Sequence, residues 1–395
     1  MEPVASPVTV RLRGLMAIDD SIAWASGREG TVLRTLDGGR TWSVFRIVGA
    51  QALDFRDIHA FDSEHAVVMS AGPGDASRLY RTADGGRTWT LVLRNPDADG
   101  FFDCMDFRGD EGRLLGDPVD GRFQVFSSRD AGRSWDRTKG PKALPKEAAF
   151  AASGTCLRRL TDGTVLVTGG AHARVLYSPD RLPGEWRAHE LPAHVPADSS
   201  GLFSIAEREG LLLSVGGDFQ QEARPAPVLG VTARSEVSRS GTLYRAGPHY
   251  LSHAGNDRIL RPVLIRDPWF EVGFEAMRFF DGVPSGYRSS IACQAVARPY
   301  CVATGPSGND LLGPTRSGGE RDAAGDGGTR ILTTEQIASV PLDAPRRLSA
   351  ADFSVASAWL PLPGPGYDSV SIAGRIAWFS GDGGRIARME LPPAP

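Results

Sequence analysis

The sequence has few cysteines and no pattern of metal ligands. Its 395 residues include four cysteines, Cys104, Cys156, Cys293 and Cys301, and none belongs to a C-x-x-C pair or accompanies a histidine cluster. This argues against a zinc site, and we expect no metal. We expect buried free thiols; a disulfide between Cys293 and Cys301, which flank a potential hairpin, is the alternative for an oxidising compartment.

An excess of positive charge and a long apolar run are also missing. The 44 basic and 47 acidic residues give a net charge of −3, which argues against general affinity for nucleic acid or an anionic membrane. No segment reaches the roughly 18 apolar residues that a membrane helix needs, so we expect no membrane insertion. The N-terminus, MEPVASPVTV, has neither the basic region nor the apolar core of a signal peptide.

The motifs that bind nucleotides or activate a serine are absent as well. There is no G-x-G-x-x-G, no phosphate-binding loop and no G-x-S-x-G, and the seven histidines have no triad-like context. We therefore expect no cofactor, and nucleophilic catalysis has little support.

What the sequence does contain is a repeat. Three segments share one pattern, RTLDGGRTW at 34–42, RTADGGRTW at 81–89 and SSRDAGRSW at 127–135, and YSPDRLPGEW at 177–186 is a weaker copy. The repeated residues are the aspartates Asp37, Asp84, Asp130 and Asp180 and the tryptophans Trp42, Trp89, Trp135 and Trp186. The aspartates are 47, 46 and 50 residues apart, a period typical of one four-stranded propeller blade.

The repeated turn has a local physical cause. An Asp side chain accepts hydrogen bonds from backbone N–H groups of its own turn, and the glycines supply positive φ. A Ser or Thr hydroxyl on one side and the Trp on the other hold the hairpin in place. We therefore interpret these residues as structural and not catalytic.

The ends of the chain predict how a ring of blades would close. The segment WASGREGTVLR at 24–34 matches WFSGDGGRIAR at 378–388, so Asp382 belongs to the turn between the second and third strands of the last blade. One strand is then missing, and we expect residues 8–12 to supply it and to leave no long unpaired sheet edge.

Seven segments mark the starts of inner strands. They are LRGL at 12, FRDI at 55, FDCM at 102, SGTC at 153, GLFS at 201, YRSS at 287 and YDSV at 367. The sequence therefore predicts an all-β, seven-bladed β-propeller over residues 1–395, a single domain with insertions or irregular loops near 220–285 and 310–365. Six or eight blades are the alternatives.

The strand starts also supply candidate ligand-binding residues, because propellers bind ligands where inner strands converge at the axis. Arg13, Arg56 and Arg288 share one position before the inner strand, and Asp103 and Asp368 lie at or beside it in two other blades. Arginines around one rim would bind a carboxylate or an acidic segment of a partner. The alternative is that each pairs with a neighbouring Asp and only solvates the rim.

Three carboxylates form a second candidate group. Asp117, Asp120 and Glu147 would suit a cation or acid–base chemistry, although D-P-V-D-G also makes an ordinary hairpin turn. Glu147 enters a strand of small residues, where a buried charge needs a partner, and a rim arginine would serve.

These motifs resemble the BNR/Asp-box repeat superfamily, and within it bacterial relatives of the photosystem II stability/assembly factor family. The likeness rests on the Asp boxes, RGL at 13–15, GDPVDGRF at 116–123, residues 147–154, GYRS at 286–289 and GRIAR at 384–388. It implies a seven-bladed propeller that binds protein through an arginine-bearing face, with no catalytic residues to carry over. Of the candidate residues, only Arg13, Arg56 and Arg288 are transferred to that face. The resemblance also implies a periplasmic or secreted location.

Sialidases share the box, so an Asp-box glycoside hydrolase is the competing interpretation. They also need an Arg-Ile-Pro element before the first box, whereas FRIV at 45–48 follows it and lacks the Pro. Asp103, Asp117 and Glu147 are its candidate carboxylates. Our leading expectation is a non-catalytic, monomeric scaffold that binds another protein through an acidic segment.

Overall fold

A computed structural model describes residues 1–191, 194–208, 211–224, 229–232, 275–276, 280–281, 284, 286–296, 299–313 and 357–393. These residues form seven sheets of antiparallel strands, with one parallel pair. Helical structure in this part of the chain is limited to two short 3-10 segments, Gly74–Ala76 and Asp382–Gly384. The predicted all-β class is confirmed. The predicted insertions near 220–285 and 310–365 fall largely outside the described residues.

Sheets 1 to 4 are four-stranded, and their strands are numbered in chain order. Sheet 1 contains β2 (Leu12–Ala17), β3 (Ala23–Gly27), β4 (Thr31–Thr35) and β5 (Ser43–Arg46). Sheet 2 contains β6 (Phe55–Ala60), β7 (Ala66–Ser70), β8 (Arg78–Thr82) and β9 (Thr90–Arg94). Sheet 3 contains β10 (Phe102–Arg108), β11 (Glu111–Val119), β12 (Arg122–Ser128) and β13 (Asp136–Thr138). Sheet 4 contains β15 (Leu157–Arg159), β16 (Gly163–Val167), β18 (Arg174–Pro179) and β19 (Arg187–Glu190).

Sheets 5 to 7 depart from that plan. Sheet 5 contains β14 (Glu147–Ala148), β17 (Gly169–Gly170), β20 (Ala197–Arg208), β21 (Leu211–Asp218), β22 (Leu229–Thr232) and β23 (Glu275–Ala276). Sheet 6 contains β24 (Phe280–Asp281), β25 (Ser290–Cys293), β26 (Cys301–Gly305), β27 (Gly308–Leu312) and β28 (Ser357–Leu362). Sheet 7 contains β1 (Glu2–Val4), β29 (Ser369–Ala373), β30 (Ile376–Ser380) and β31 (Ile386–Glu390).

One strand of each sheet contacts its counterpart in the next sheet. The order of these inner strands is β2, β6, β10, β15, β20, β25 and β29, and β29 also contacts β2. Side chains of inner strands accept hydrogen bonds from backbone N–H groups of the following sheet. Met105 N donates to Asp57 Oδ2 (2.7 Å), and Ala17 N donates to Ser371 Oγ (3.0 Å). The apolar core lies between adjacent sheets; Trp24 and Trp378, for example, are fully buried.

The first strand differs from the sequence prediction. Residues 2–4, and not 8–12, pair with the last strand, in the register Glu2 opposite Arg388 and Val4 opposite Ile386. Leu12 instead begins the inner strand of sheet 1, which is why that segment cannot also serve as the outer strand of sheet 7. The edge position of β1 tolerates Pro3, since an edge strand does not need every N–H.

Three of the repeated turns have the same hydrogen bonds. In the first, Thr41 N donates to Asp37 Oδ1 (2.9 Å), and Gly39 N donates to Thr35 Oγ1 (2.9 Å). The turns at Asp84 and Asp130 repeat this arrangement. Trp89 and Trp135 each donate an indole N–H to a glycine carbonyl of their own turn, whereas Trp42 packs edge-on against Trp378.

The fourth copy of the turn is built differently. The carboxylate of Asp180 binds the guanidinium of Arg159, at 2.8 and 3.1 Å, and that guanidinium also contacts Glu111. Trp186 donates its indole N–H to the carbonyl of Lys139. A buried arginine therefore replaces the backbone N–H donors of the other three turns.

The expectation of free thiols is wrong. Two disulfides, Cys104–Cys156 and Cys293–Cys301, account for all four cysteines. The second lies between directly opposed residues of the hairpin β25–β26. The first joins sheets 3 and 4, a contact between distant segments that no spacing in the sequence indicates.

The burial of the His59 imidazole is expected to make the folded protein less stable in acid. Its ring packs against Phe61 and Phe107, its side chain is 13% exposed, and Asp106 (4.0 Å) with Arg158 beyond it are the charges that face it. Burial lowers the pKa of His59 to about 4, so the folded protein holds fewer protons than the unfolded chain between pH 6.5 and 4. This contribution is complete above pH 6.5, and about 2 kcal/mol of it is lost between pH 7.5 and 5.

Urea unfolding of the wild type and His59→Phe at pH 7.5 and 5 measures that loss. The fall in unfolding free energy should be about 2 kcal/mol smaller for the variant, because phenylalanine does not titrate. Identical pH dependence in the two proteins would show that His59 is not held neutral by burial.

Candidate functional site

A repeated β-bulge brings the candidate side chains to one end of the inner strands. The register shifts by one residue in β2, β6, β10 and β20, and the residue left over is Arg13, Arg56, Asp103 and Phe203, respectively. A bulge re-aims the side chain of its extra residue. Because these inner strands lie side by side in order, the four residues belong to one face, which we call the bulge face.

Arginines crowd around a single carboxylate on the bulge face. Asp54 Oδ2 lies 2.9 Å from Arg56 Nε, 3.4 Å from an Nη of Arg13 and 3.8 Å from Arg28 Nε. Burial, together with the charges of Arg56 and Arg11, lowers the pKa of Arg13 to about 10. Three guanidinium groups share one carboxylate, so this site has an excess of positive charge.

The charge of the neighbouring Arg11 is balanced by a carboxylate of its own. Arg11 makes a bidentate contact with Asp368, at 2.8 and 2.5 Å, which raises the pKa of Arg11. Asp368 and Ser369 both lie opposite Ser380, so Asp368 takes in sheet 7 the place that Arg56 has in sheet 2. The unbalanced charge therefore lies at Arg13, Arg28 and Arg56.

Arg288 does not share the position that the sequence alignment gives it. Ser289 and Ser290 both lie opposite Thr304, so Ser289 is the counterpart of Arg56, one residue later than expected. The Arg288 side chain is fully buried and its Nε lies 2.6 Å from Asp310. It belongs to the interior and not to the accessible arginine group.

Glu147 is also buried, and its partner is not a rim arginine. Arg174 contacts both carboxylate oxygens, at 2.7 and 2.5 Å. Thr168 Oγ1 donates to Oε1 (2.6 Å) and Leu144 N donates to Oε2 (2.8 Å). A carboxylate with this set of donors is a structural ion pair, which removes one candidate for acid–base chemistry.

Asp103 and Asp117 lie on the bulge face beside the arginines. Asp103 is 1% exposed and its carboxyl group accepts no hydrogen bond from the described residues; burial and the charge of Asp117 raise its pKa well above the usual range. Asp117 accepts one hydrogen bond from Ala149 N (2.9 Å), and burial raises its pKa to about 6. It lines an open cleft of about 600 Å³.

Sequence reasoning missed an aromatic cluster on this face. Phe150 stacks on Phe203 at 4.0 Å, Phe219 packs edge-on against both, and Tyr287 packs against Phe203 at 4.8 Å. Phe219 is 42% exposed. In the alignment of strand starts, the position of Arg13 and Arg56 falls on Leu202, whereas the bulged residue is Phe203. Nothing in the local sequence GLFS indicates that the bulge lies one residue later.

The axis is filled by a turn of small residues just before β15. Ser153 Oγ donates to the carbonyl of Ser289 in sheet 6 (2.7 Å), and a Cβ on Gly154 would lie 2.2 Å from the Asp57 side chain of sheet 2. Gly154 also has a φ of +74°, which favours glycine. Only small side chains allow this turn, which we call the axial turn (residues 153–155), to cross between opposite sheets.

Other kinds of site find no support in the described part of the chain. No three His, Cys, Asp or Glu residues there are grouped so that they could hold a metal ion. Among the same residues, no helix has the length and apolar character needed to cross a membrane.

Comparison with known proteins defines the fold. No family model and no curated protein match the chain. Solved structures similar to the chain include YCF48 bound to a D1 peptide (13% identity, 99% of this chain and 94% of the other, TM-score 0.54), YCF48 from Cyanidioschyzon merolae (14%, 98% and 98%, 0.50), and a chain of the mitotic checkpoint complex (11%, 99% and 91%, 0.52). Together with the seven sheets, these likenesses show that the chain has a β-propeller fold.

Proposed function

We propose that this chain is a non-catalytic, seven-bladed propeller with Asp boxes in its first four blades, closed by β1, that binds another protein through Arg13, Arg28 and Arg56. One observation carries the proposal: among the described residues, Asp54 is the only carboxylate that forms an ion pair with Arg13, Arg28 or Arg56. A carboxylate from a partner would supply the missing negative charge and accept bidentate hydrogen bonds.

The surroundings of these arginines favour a peptide over a free small anion. Arg56 lies over the ring of Phe101, with the guanidinium carbon 6.0 Å from the ring centroid, and the partly exposed Phe219 belongs to the same face. Charged and aromatic groups side by side suit a segment that combines a carboxylate with apolar side chains. A solved structure of YCF48, a photosystem II assembly factor, holds a peptide, which makes peptide binding a reasonable activity for this fold.

The disulfides bear on location. Such bonds persist mainly in oxidising compartments, so Cys104–Cys156 and Cys293–Cys301 support a periplasmic or secreted protein. The competing glycoside hydrolase function loses support, because all the acceptor capacity of Glu147 is used in the interior.

Neutralising two of these arginines is expected to weaken the binding of acidic peptides. The probe is a fluorescein-labelled eight-residue peptide with an internal Glu pair among Ala, Ser and Leu residues. We expect Arg13→Gln combined with Arg56→Gln to weaken its binding at least about ten-fold, measured by anisotropy in low salt, because two of three cations are removed. Glutamine is preferred to glutamate, since a carboxylate there would repel Asp54.

Arg46→Gln is the matched control, because Arg46 is exposed on the outer strand of sheet 1. It should leave the affinity unchanged, and all three proteins should unfold at similar temperatures. Equal binding by the wild type and the double variant would refute the arginine site.

A further inference from the structure

The cleft beside the arginines has the opposite charge character. Its lining includes Asp117, from β11, Asp99, and the segment 143–148, which contains Lys146. Lys146 makes no ion pair with a described residue, so two carboxyl groups and one cation share the cleft, while Glu147 is neutralised by Arg174. The cleft therefore complements a positive group.

A buried carboxyl group lies between this cleft and the arginines. Asp103 is affected electrostatically by both Asp117 and Arg56, and neither of its oxygens accepts a hydrogen bond from the described residues. A buried acceptor without a donor is costly, and native structures rarely leave one unsatisfied. The raised pKa of Asp103 favours its neutral form, so the negative charges of the cleft are those of Asp117 and Asp99.

The cleft and the arginine site are neighbours. Phe101 has Arg56 over its ring, and its carbonyl accepts a hydrogen bond from Asp117 N (2.9 Å). A single residue therefore separates the positive and negative regions. An extended peptide advances about 3.3 Å per residue, so a few residues would reach from one region to the other.

We propose that the cleft is a second subsite, which binds the side chain of a lysine or arginine in the same partner segment whose carboxylate lies at Arg13 and Arg56. The inference rests on the proposed function, because it places both groups on one segment. Lysine and arginine carry N–H donors for Asp117, which lines the cleft and accepts a single hydrogen bond, from Ala149 N. The two subsites together would also fix the direction of the bound chain, since reversal would place like charges together.

The subsite should make binding depend on pH. A cation beside Asp117 favours its ionised form, so binding of the basic residue releases a proton when the pH is below the free pKa of Asp117, about 6. The groups near Asp117 are Asp103 and Ala149 N, and Asp99 and Lys146 line the same cleft. The gain from the basic residue, about ten-fold at pH 7, should fall to about two-fold at pH 5.

Two series of labelled peptides test the assignment by fluorescence anisotropy. Both contain one Glu, followed after one to four residues by Lys in the first series and Gln in the second. At one spacing the Lys peptide should bind the wild type about ten-fold more tightly than the Gln peptide at pH 7. Asp117→Asn should remove this difference, so that the two peptides bind the variant equally. Lys146→Met should increase the gain, because it removes the competing cation.

Asp120→Asn is the control, because Asp120 is an exposed residue at the tip of the same hairpin and asparagine tolerates its φ of +53°. It should preserve the gain. Equal affinity for the Lys and Gln peptides at every spacing would overturn the subsite while leaving the arginine site standing. Failure of both series to bind would instead reject the proposed function, and tight Ca²⁺ binding by the free protein that is lost in Asp117→Asn would show a metal in place of a side chain.

Discussion

Replacing Glu147 with glutamine is expected to lower the free energy of unfolding by about 3–5 kcal/mol. The substitution leaves the Arg174 guanidinium, 7% exposed, without its counter-ion, and a buried charge without a partner is costly. The carbonyl of Lys142 accepts one Arg174 N–H, but it is a neutral acceptor and does not balance the charge. Urea denaturation at pH 7 measures the loss.

The double variant Glu147→Leu with Arg174→Met distinguishes the cost of leaving one charge unpaired from the net contribution of the ion pair. Removing both charges should restore most of the lost stability, because the pair must also overcome the cost of desolvating two ions. Arg174→Met alone and Glu147→Leu alone should each be about as destabilising as Glu147→Gln. Two single losses that simply add in the double variant would show that the groups are not coupled.

Glu147→Gln alone cannot test whether Glu147 is a catalyst. An activity lost in Glu147→Gln would not identify an acid or base, since the same change disturbs β14 and the wall of the cleft. A charged residue in a strand of small residues is a correct sequence signal that a partner exists. The signal does not say which arginine it is, and Arg174 lies 27 residues further along the chain.

The fold is predictable where its cause is local. The hydrogen bonds around Asp37 involve residues 35–41 alone, so the turn and its spacing can be recognised from the chain itself. The inner strands begin close to the positions inferred from that spacing. At the fourth copy the local cause is absent, since Asp180 depends on Arg159, and the sequence pattern weakens there.

The candidate site is predictable only in part, because a bulge shifts the register by one residue. Arg13 and Arg56 follow aligned apolar residues, Leu12 and Phe55, and the alignment places them correctly. In sheets 5 and 6 the aligned segments GLFS and YRSS begin one residue too early relative to the bulge. The alignment therefore selects Leu202 and Arg288 in place of Phe203 and Ser289. The contacts of the axial turn depend on all the sheets being assembled and have no counterpart in local pattern.

Loss of the Cys104–Cys156 disulfide is expected to cost about 4 kcal/mol of unfolding free energy, against about 2.5 kcal/mol for Cys293–Cys301. The bonds join residues 52 and 8 positions apart, and the entropy that a crosslink removes from the unfolded chain grows with the loop it closes. Cys104 and Cys156 are also fully buried, between β10 and the start of β15. Paired Cys→Ala variants, unfolded in urea, give both values.

The larger loss should have a structural consequence near the axis. Cys156 follows the axial turn directly, so without the crosslink the turn is held by Ser153 and by hydrogen bonds such as that between Thr155 and Ser204 (2.6 Å). Amide exchange at residues 153–155 should therefore become faster in Cys104→Ala with Cys156→Ala, whereas the Cys293–Cys301 variant should leave it unchanged. If both variants lost equal stability and left these amides equally protected, the disulfide would be no more than a crosslink between sheets 3 and 4, with no part in keeping the axis filled.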